Sequence, residues 1–250
     1  MQFMIKTIDI PGAAPRDPAT EQNSANADIN GSGRVSAAYL AIKEAIRSNA
    51  FPPGYQAAEI EIARQLGMSR TPVHEAMARL QEDGLVRILP KKGIIICALS
   101  PADIEEIYEV ITALEGAAAA RLARLPMEER APVIQLLKAA TKRMIEALAD
   151  NDLPRWAVAD EDFHQALVIE SGNRRLMRMA GTVADQLHRA RMFTLNLRPL
   201  PLHSAVEHAA IIEAIEQGDG DAASRAARLH RKHAHDALIP LIARYNLRNL

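Results

Sequence analysis

The spacing of hydrophobic residues predicts a chain built mainly of helices. Tyr39, Leu40, Ile42 and Ile46 recur at the three- and four-residue intervals that place side chains on one face of a helix. Similar stripes fill the second half of the chain, and proline, glycine or asparagine separates them. The helices predicted there are residues 101–125, 127–150, 153–171, 174–195, 202–217 and 219–245. Residues 100–247 are therefore expected to form an all-α bundle.

The region from residue 34 to residue 99 has a different pattern, which predicts a separate small domain. Its predicted elements are three helices and then two short strands, at residues 36–48, 57–66, 69–83, 85–89 and 93–98. Gly67 ends the short second helix, and Ser69 or Thr71 can cap the third. Pro72 falls in the first turn of that third helix, where a backbone N–H has no acceptor within the helix, so proline is tolerated there. Two β-runs joined by a turn predict a hairpin.

This order of elements is that of a winged helix-turn-helix, in which the second helix of the pair enters the DNA major groove and the hairpin follows the backbone. The region is basic, with nine Lys or Arg against six Asp or Glu, whereas the rest of the chain is acidic. Arg70 begins the reading helix, and its guanidinium matches guanine O6 and N7. The alternative for any such charge is a solvated surface side chain, which we favour for Arg79 and Arg87. The candidate DNA-binding residues are Ser69, Arg70, Thr71, His74, Lys91, Lys92 and Gly93.

Composition narrows the possible classes of protein. The chain has 250 residues, of which 48% are hydrophobic and 24% charged, and its formal net charge is −1. No apolar run is long enough to cross a bilayer, so a cytoplasmic protein without a membrane partner is expected. The single cysteine, Cys97, excludes an internal disulfide framework and a multi-cysteine metal site. Residues 1–33 are rich in proline and polar side chains and predict an unstructured arm.

Three histidines and one aspartate lie on faces of the predicted helices that point inward. Asp160 and His164 are four residues apart on one helix, so they share a face. His208 precedes an isoleucine stripe, and His230 falls within a stripe of alanines that ends at Leu241. The four side chains can converge on one divalent ion. Nitrogen-rich ligation predicts zinc, with nickel, manganese or iron as alternatives.

One consideration weighs against this metal site. A buried histidine that bonds a carbonyl is commoner than a metal ligand, and it would give the same inward stripe. The remaining histidines of the bundle offer no such pattern, because they lack a stripe with a partner or are expected to be exposed. They are His188, His203, His233 and His235.

The small domain resembles the GntR family of bacterial transcriptional regulators. The resemblance rests on Phe51-Pro52-Pro53-Gly54, Glu59, the continuous run from Ile62 to Ala76, Leu80, Gly84-Leu85-Val86 and Gly93. It implies a DNA-binding domain of about 65 residues. Many relatives carry arginine at the position of His74 and a basic residue at that of Ile60, so the base preference is expected to differ.

The helical half resembles the FCD effector domain of the FadR-like branch of that family. The matching residues are Asp160, Phe163-His164, Ser171-Gly172-Asn173, Glu207-His208, Ile211, Ala214-Ile215, Gly218-Asp219 and His230. The resemblance implies that Asp160, His164, His208 and His230 bind a divalent metal and that the domain responds to organic acids. Relatives often have arginine where this chain has Ile111, which predicts an effector that is smaller, less acidic or differently oriented.

These features together predict a metabolite-responsive transcriptional regulator, expected to be a repressor. As a homodimer it would read a pseudo-palindromic operator in double-stranded DNA. A small carboxylate effector would occupy open metal positions, assisted by Arg189 or Arg191. One alternative is a metal-dependent hydrolytic enzyme with an accessory DNA-binding domain. Another is a DNA-binding protein whose helical domain is structural and holds no metal.

Overall fold

The computed structural model of the protein describes the backbone of residues 18–198 and 200–247, and side chains from residue 33 onward. Helices dominate these residues, as predicted. In chain order the elements are α1 (Pro18–Arg47), β1 (Gln56–Ala57), α2 (Glu59–Gln65), α3 (Arg70–Glu82), β2 (Val86–Leu89), β3 (Gly93–Ile96), α4 (Pro101–Ala123), α5 (Met127–Ala149), α6 (Leu153–Ile169), α7 (Arg174–Phe193), a 3₁₀ turn (Leu195–Leu197), α8 (Ser204–Gln217) and α9 (Gly220–Arg244).

The first unit is a winged helix-turn-helix with its own hydrophobic core. Side chains from α1, α2, α3 and the sheet fill this core, among them Ile42, Ile62, Leu80 and Ile94. The sheet has three strands in the order β1-β3-β2, both pairs antiparallel, where two strands were expected. Because β1 is only two residues long, it has no alternation that a sequence pattern could reveal.

Gly93 begins β3 with φ of +89°, and the sheet itself requires glycine there. A Cβ atom at this position would lie 2.2 Å from the carbonyl oxygen of Ala57, which is the backbone of β1. The close approach of two strands therefore explains this glycine without any contact to DNA.

The second unit is an all-α bundle whose core is separate from the first. α4 packs against α9, and α5 lies against both α6 and α8. The start of α4 follows the sequence prediction, since Ser100 and Asp103 form a reciprocal capping box. The predicted class, a winged helix-turn-helix followed by an all-α bundle, is confirmed. Among the helices described here, none is long and apolar enough to cross a membrane.

The predicted unstructured arm at residues 1–33 differs from the structure over its second part. Residues 1–17 lie outside the described residues, but α1 begins at Pro18 and continues without a break to Arg47. The chain has no proline between Pro18 and Pro52, and a helix held by the buried stripe Ala38, Ile42 and Ile46 can extend backwards one residue at a time.

Ion pairs join the end of α1 to the helical bundle. The guanidinium of Arg47 donates to Asp185 Oδ1 at 2.6 Å and to Glu161 Oε1 at 2.5 Å. Lys43 Nζ lies 2.5 Å from the other oxygen of Asp185, and His188 Nδ1 lies 2.6 Å from the other oxygen of Glu161. We call these five residues the interdomain cluster. Burial alone would raise the pKa of Glu161, but His188 and Arg47 lower it to about 2.

Candidate functional site

The structure brings the four predicted metal ligands together inside the helical bundle. Asp160 and His164 come from α6, His208 from α8 and His230 from α9, and all four side chains are buried. His230 Nε2 lies 3.2 Å from His208 Nε2 and 3.2 Å from His164 Nε2. The Asp160 oxygens lie 3.7 Å from the Nε2 atoms of His164 and His208. One potential ligand atom from each residue falls within 4.8 Å of all the others.

This set of atoms fits a divalent cation. Two nitrogens bound to tetrahedral zinc at 2.0–2.1 Å would be about 3.3 Å apart, close to the observed 3.2 Å. Burial lowers the pKa of His164 to about 4 and that of His208 well below its usual value, so both rings are neutral at neutral pH. Their lone pairs are therefore available to a metal without competition from protons.

The aspartate supplies the negative charge that such a site needs. Burial alone would raise the pKa of Asp160, but the guanidinium of Arg191 and the neighbouring imidazoles hold it well below its usual range. Arg191 donates a hydrogen bond to Asp160 Oδ2. The carboxylate is therefore ionised and already paired with a cation.

Two glutamates that the sequence analysis did not single out lie against the Nδ1 atoms of two of these histidines. Glu207 Oε2 lies 2.7 Å from His230 Nδ1, so this ring carries its proton on Nδ1 and turns the Nε2 lone pair toward the other ligands. Glu115 Oε2 lies 3.0 Å from His164 Nδ1, and Arg231 holds the same carboxylate through two hydrogen bonds. Despite burial, Arg231 and His164 keep the pKa of Glu115 low.

A cavity of about 620 Å³ opens beside this cluster, a size usual for small-molecule sites. Asp160, His230 and Arg191 form part of its wall. Arg189, the other predicted effector residue, does not line this cavity and instead donates to the carbonyl oxygen of Cys97 at 2.6 Å. Two residues apart on a helix correspond to about 200° of rotation, so Arg189 and Arg191 cannot face the same space.

Two histidines that the sequence analysis set aside have specific partners. His188 contacts Glu161 in the interdomain cluster. His233 Nδ1 lies 2.6 Å from Glu207 Oε1, next to the cavity. Each of these histidines pairs with a carboxylate at the edge of the core. Neither lies on an apolar stripe, so the sequence pattern did not indicate these contacts.

The predicted reading helix presents its first turn to solvent. Arg70 begins α3 with 70% of its side chain exposed, and Ser69 and Thr71 are exposed beside it. Ser69 occupies the capping position, but its side chain makes no capping hydrogen bond. His74 is 65% exposed, one turn further along the same helix. Lys91 and Lys92 are exposed at the tip of the hairpin.

Glu59 of α2 links the two main candidates for base contacts. Its carboxylate lies 2.9 Å from His74 Nδ1 and 3.7 Å from Arg70 Nε. The side chain of Glu59 is only 11% exposed, so it approaches the reading helix from the protein side. Glu59 therefore sets where Arg70 and His74 point before DNA arrives.

Comparison with known proteins supports both halves of this description. Residues 34–96 match the bacterial regulatory proteins of the gntR family, and residues 106–233 match the FCD domain. An uncharacterised HTH-type transcriptional regulator in the TAR-I ttuE-ttuC' intergenic region of Agrobacterium vitis is 68% identical over 166 residues, covering 66% of this chain and 97% of that protein.

Two further relatives agree. A probable D-xylose utilization operon transcriptional repressor of Paenarthrobacter nicotinovorans is 30% identical, with 74% of this chain and 80% of that protein covered. The structure of E. coli McbR/YncC has the same fold, with a TM-score of 0.70 and 18% identity over 85% of this chain and 99% of that one. The two similar sequences are named as a transcriptional regulator and a repressor, and both matched families are regulatory, which removes the hydrolytic alternative. The chain belongs to the GntR family of bacterial transcriptional regulators and carries an FCD domain.

Proposed function

We propose that this regulator is a homodimeric repressor whose affinity for a pseudo-palindromic operator changes when a small organic acid binds beside a metal ion in its FCD domain. The observation that carries the proposal is the buried cluster of Asp160, His164, His208 and His230 at the wall of a cavity. The exposed first turn of α3 supports base contacts by Arg70, with Ser69, Thr71, His74 and the hairpin lysines contacting bases or phosphates.

Asp160, His164, His208 and His230 would hold the ion, with zinc as the expected metal. A bound divalent cation supplies a Lewis acid that attracts a carboxylate. Glu207 and Glu115 fix the rings that face it. Because Arg191 contacts Asp160 and also lines the cavity, an incoming carboxylate competes with Asp160 for this guanidinium. Effector binding would then shift α7 relative to α6.

The same two helices reach the DNA-binding unit. Glu161 follows Asp160 on α6, and His188 and Asp185 precede Arg191 on α7 by about one and about two turns, respectively. All three belong to the interdomain cluster, which holds Arg47 at the end of α1. A relative movement of α6 and α7 would therefore change how the reading helices are placed in the dimer. The two states would then make different contacts with DNA, and allostery requires such a difference.

The proposal is tested by a thermal-shift screen of small organic acids against zinc-loaded protein, with and without a chelator. We expect at least one acid to stabilise the protein only when zinc is present, and to change the affinity for an operator selected from random DNA. Sedimentation equilibrium is expected to give two chains per particle. Protein that contains no metal after growth in metal-replete medium would favour the structural alternative for the helical domain.

Replacing Arg47 by methionine tests the interdomain cluster. Removing this guanidinium leaves Glu161 and Asp185 without their shared partner and keeps only the Lys43–Asp185 pair of the interdomain cluster between α1 and the bundle, so this link is weakened. Allosteric coupling commonly changes affinity about 5- to 150-fold, and we expect the effector-induced change in operator affinity to fall below about threefold. Arg155→Met is the control, since the described ion pairs of Arg155 are with acids of the same bundle, Asp150 and Glu146. An unchanged response in Arg47→Met would rule out this route.

Replacing Glu59 by glutamine tests how the reading helix is prepared for DNA. The amide keeps the size of the side chain but cannot hold Arg70 and His74 by charge. Exposed ion pairs are worth up to about 1 kcal/mol, so we expect the ratio of specific to non-specific binding to fall about three- to fivefold. Glu61→Gln removes the same charge from an exposed position on α2. Equal effects of the two variants in fluorescence anisotropy would mean that only net charge matters.

A further inference from the structure

Arg198 is a partly buried cation with no acidic partner among the residues that the structure describes. Both of its described hydrogen bonds go to one hydroxyl oxygen, Thr194 Oγ1, at 3.0 Å from Nε and 2.8 Å from Nη2. Among the described residues, no carboxylate oxygen lies within 4.0 Å of its guanidinium. Arg191 and Arg231, the other arginines of the cavity wall, are each paired with a carboxylate. A guanidinium removed from water without a counter-ion is costly, so this position favours an anion.

Two more polar groups in the wall of the same cavity lack partners. Trp156 Nε1 and Ser204 Oγ are buried and make no hydrogen bond within the described part of the chain, although both residues line the cavity with Arg198. An indole N–H can only donate, as can a guanidinium. Because buried polar groups in proteins are nearly always hydrogen-bonded, these atoms indicate a ligand that supplies acceptor oxygens.

Most of the remaining cavity wall is hydrocarbon, although His203, His233 and Arg231 also line it. It is formed mainly by Leu153, Leu195, Leu200, Leu202 and Ala237, and Leu202 is 64% exposed. The two carboxylates in the wall, Asp160 and Glu207, are already engaged by Arg191 and by histidines. The described part of the wall therefore offers donors and apolar area, but no free acidic acceptor for the hydroxyl groups of a sugar acid.

We infer that Arg198, with Trp156 and Ser204, selects an organic acid that has a carboxylate at one end and a hydrocarbon body at the other. The carboxylate accepts hydrogen bonds from these donors beside the metal ligands, and the hydrocarbon body packs against the leucine wall. This inference rests on the proposed function, because it names the class of effector for that site. It makes Arg198 a specificity-determining residue in place of Arg189.

The test is isothermal titration calorimetry of the full-length, zinc-loaded protein with acetate, butyrate, hexanoate and gluconate. Burial of each methylene is worth about 0.8 kcal/mol, so affinity is expected to rise about fourfold per added methylene from acetate to hexanoate. Gluconate has the six carbons of hexanoate but a hydroxylated body, and we expect it to bind at least tenfold more weakly. Equal or tighter binding of gluconate would overturn the proposed ligand class.

Variants separate the role of Arg198 from that of the metal. Arg198→Met is expected to weaken hexanoate binding at least tenfold while one zinc per chain is retained, and Trp156→Phe to weaken it about fivefold. Arg225→Met, at an exposed position of α9, serves as the control and is expected to bind hexanoate as the parent does. If Arg198→Met fails to fold, Arg198→Lys tests the same position with its charge kept. Its expected affinity for hexanoate lies between that of the parent and that of Trp156→Phe.

The outcomes distinguish this inference from the proposed function. Zinc-dependent binding of hexanoate that is unaltered in Arg198→Met and Trp156→Phe overturns the inference and leaves the proposed function standing. If the parent protein binds zinc and another acid but none of these monocarboxylates, the inference is likewise overturned and the proposed function stands. A parent protein that holds no zinc and binds no acid overturns both.

Discussion

Replacing His208 by alanine is expected to remove the bound metal and the response to effector, while operator binding without effector persists. His208 is fully buried, and its Nε2 is one of the three imidazole nitrogens that converge in the bundle. Loss of a side chain that hydrogen-bonds a metal ligand typically costs 10- to 100-fold in metal affinity, so loss of the ligand itself should cost at least about 100-fold. Metal content by atomic emission and operator affinity by anisotropy measure the two effects separately.

The thermal transition provides a second measure of the same change. A metal present at 1,000 times its dissociation constant stabilises the folded state by about 4 kcal/mol, which for a chain of this size corresponds to a shift in Tm of roughly 10 °C. A chelator should therefore lower the Tm of the parent protein by about this amount and leave His208→Ala unchanged. His203→Ala is the matched control, because His203 lines the cavity but is not part of the ligand cluster. One zinc per chain in purified His208→Ala would contradict the assignment.

Replacing Arg70 by alanine is expected to abolish recognition of the operator without changing the fold or the metal content. A bidentate arginine–guanine contact contributes about 1–3 kcal/mol of discrimination. The proposed homodimer would make this contact in both half-sites, so the specific affinity should fall at least about 30-fold, while non-specific binding changes little. The exposed position of Arg70 makes a folding defect unexpected, since its only described ion pair is the 3.7 Å contact with Glu59.

Footprinting and anisotropy at one fixed salt concentration measure the loss. Arg225→Ala removes an equal charge from an exposed position of the helical bundle and is expected to leave the footprint intact. If Arg70→Ala protects the same bases with the same affinity, Arg70 does not read the operator, and the base contacts must come from other residues of the domain.

Much of the fold follows from local patterns in the sequence. The predicted helix between residues 101 and 125 corresponds to α4, and its start was marked by the capping residues Ser100 and Asp103. The third helix of the small domain also begins where expected, at Arg70. The misses occur where the local sequence carries no pattern. β1 is held by pairing with β3, which lies more than 35 residues away, and the first turns of α1 have few apolar residues to indicate a helix.

The candidate site was predicted in part. Stripes of apolar residues identified Asp160, His164, His208 and His230, because each of them shares an inward face with core residues. Arg198 had no such mark, since it follows the 3₁₀ turn and belongs to no helical stripe. Glu115 and Glu207 were missed for a different reason, as a glutamate on a helix is usually solvated and only its partners reveal another role.

The sequence by itself determined the two domains' element types, the reading helix that begins at Arg70 and the set of residues able to bind a metal. Helical periodicity and capping are local properties, so they can be read from neighbours in the chain. Only the tertiary structure decided that His208 and His230 face His164 at contact distance, that Arg191 and not Arg189 reaches the cavity, and that Arg47 connects the two units. Those facts depend on how separate helices pack against each other, which spacing along one chain does not specify.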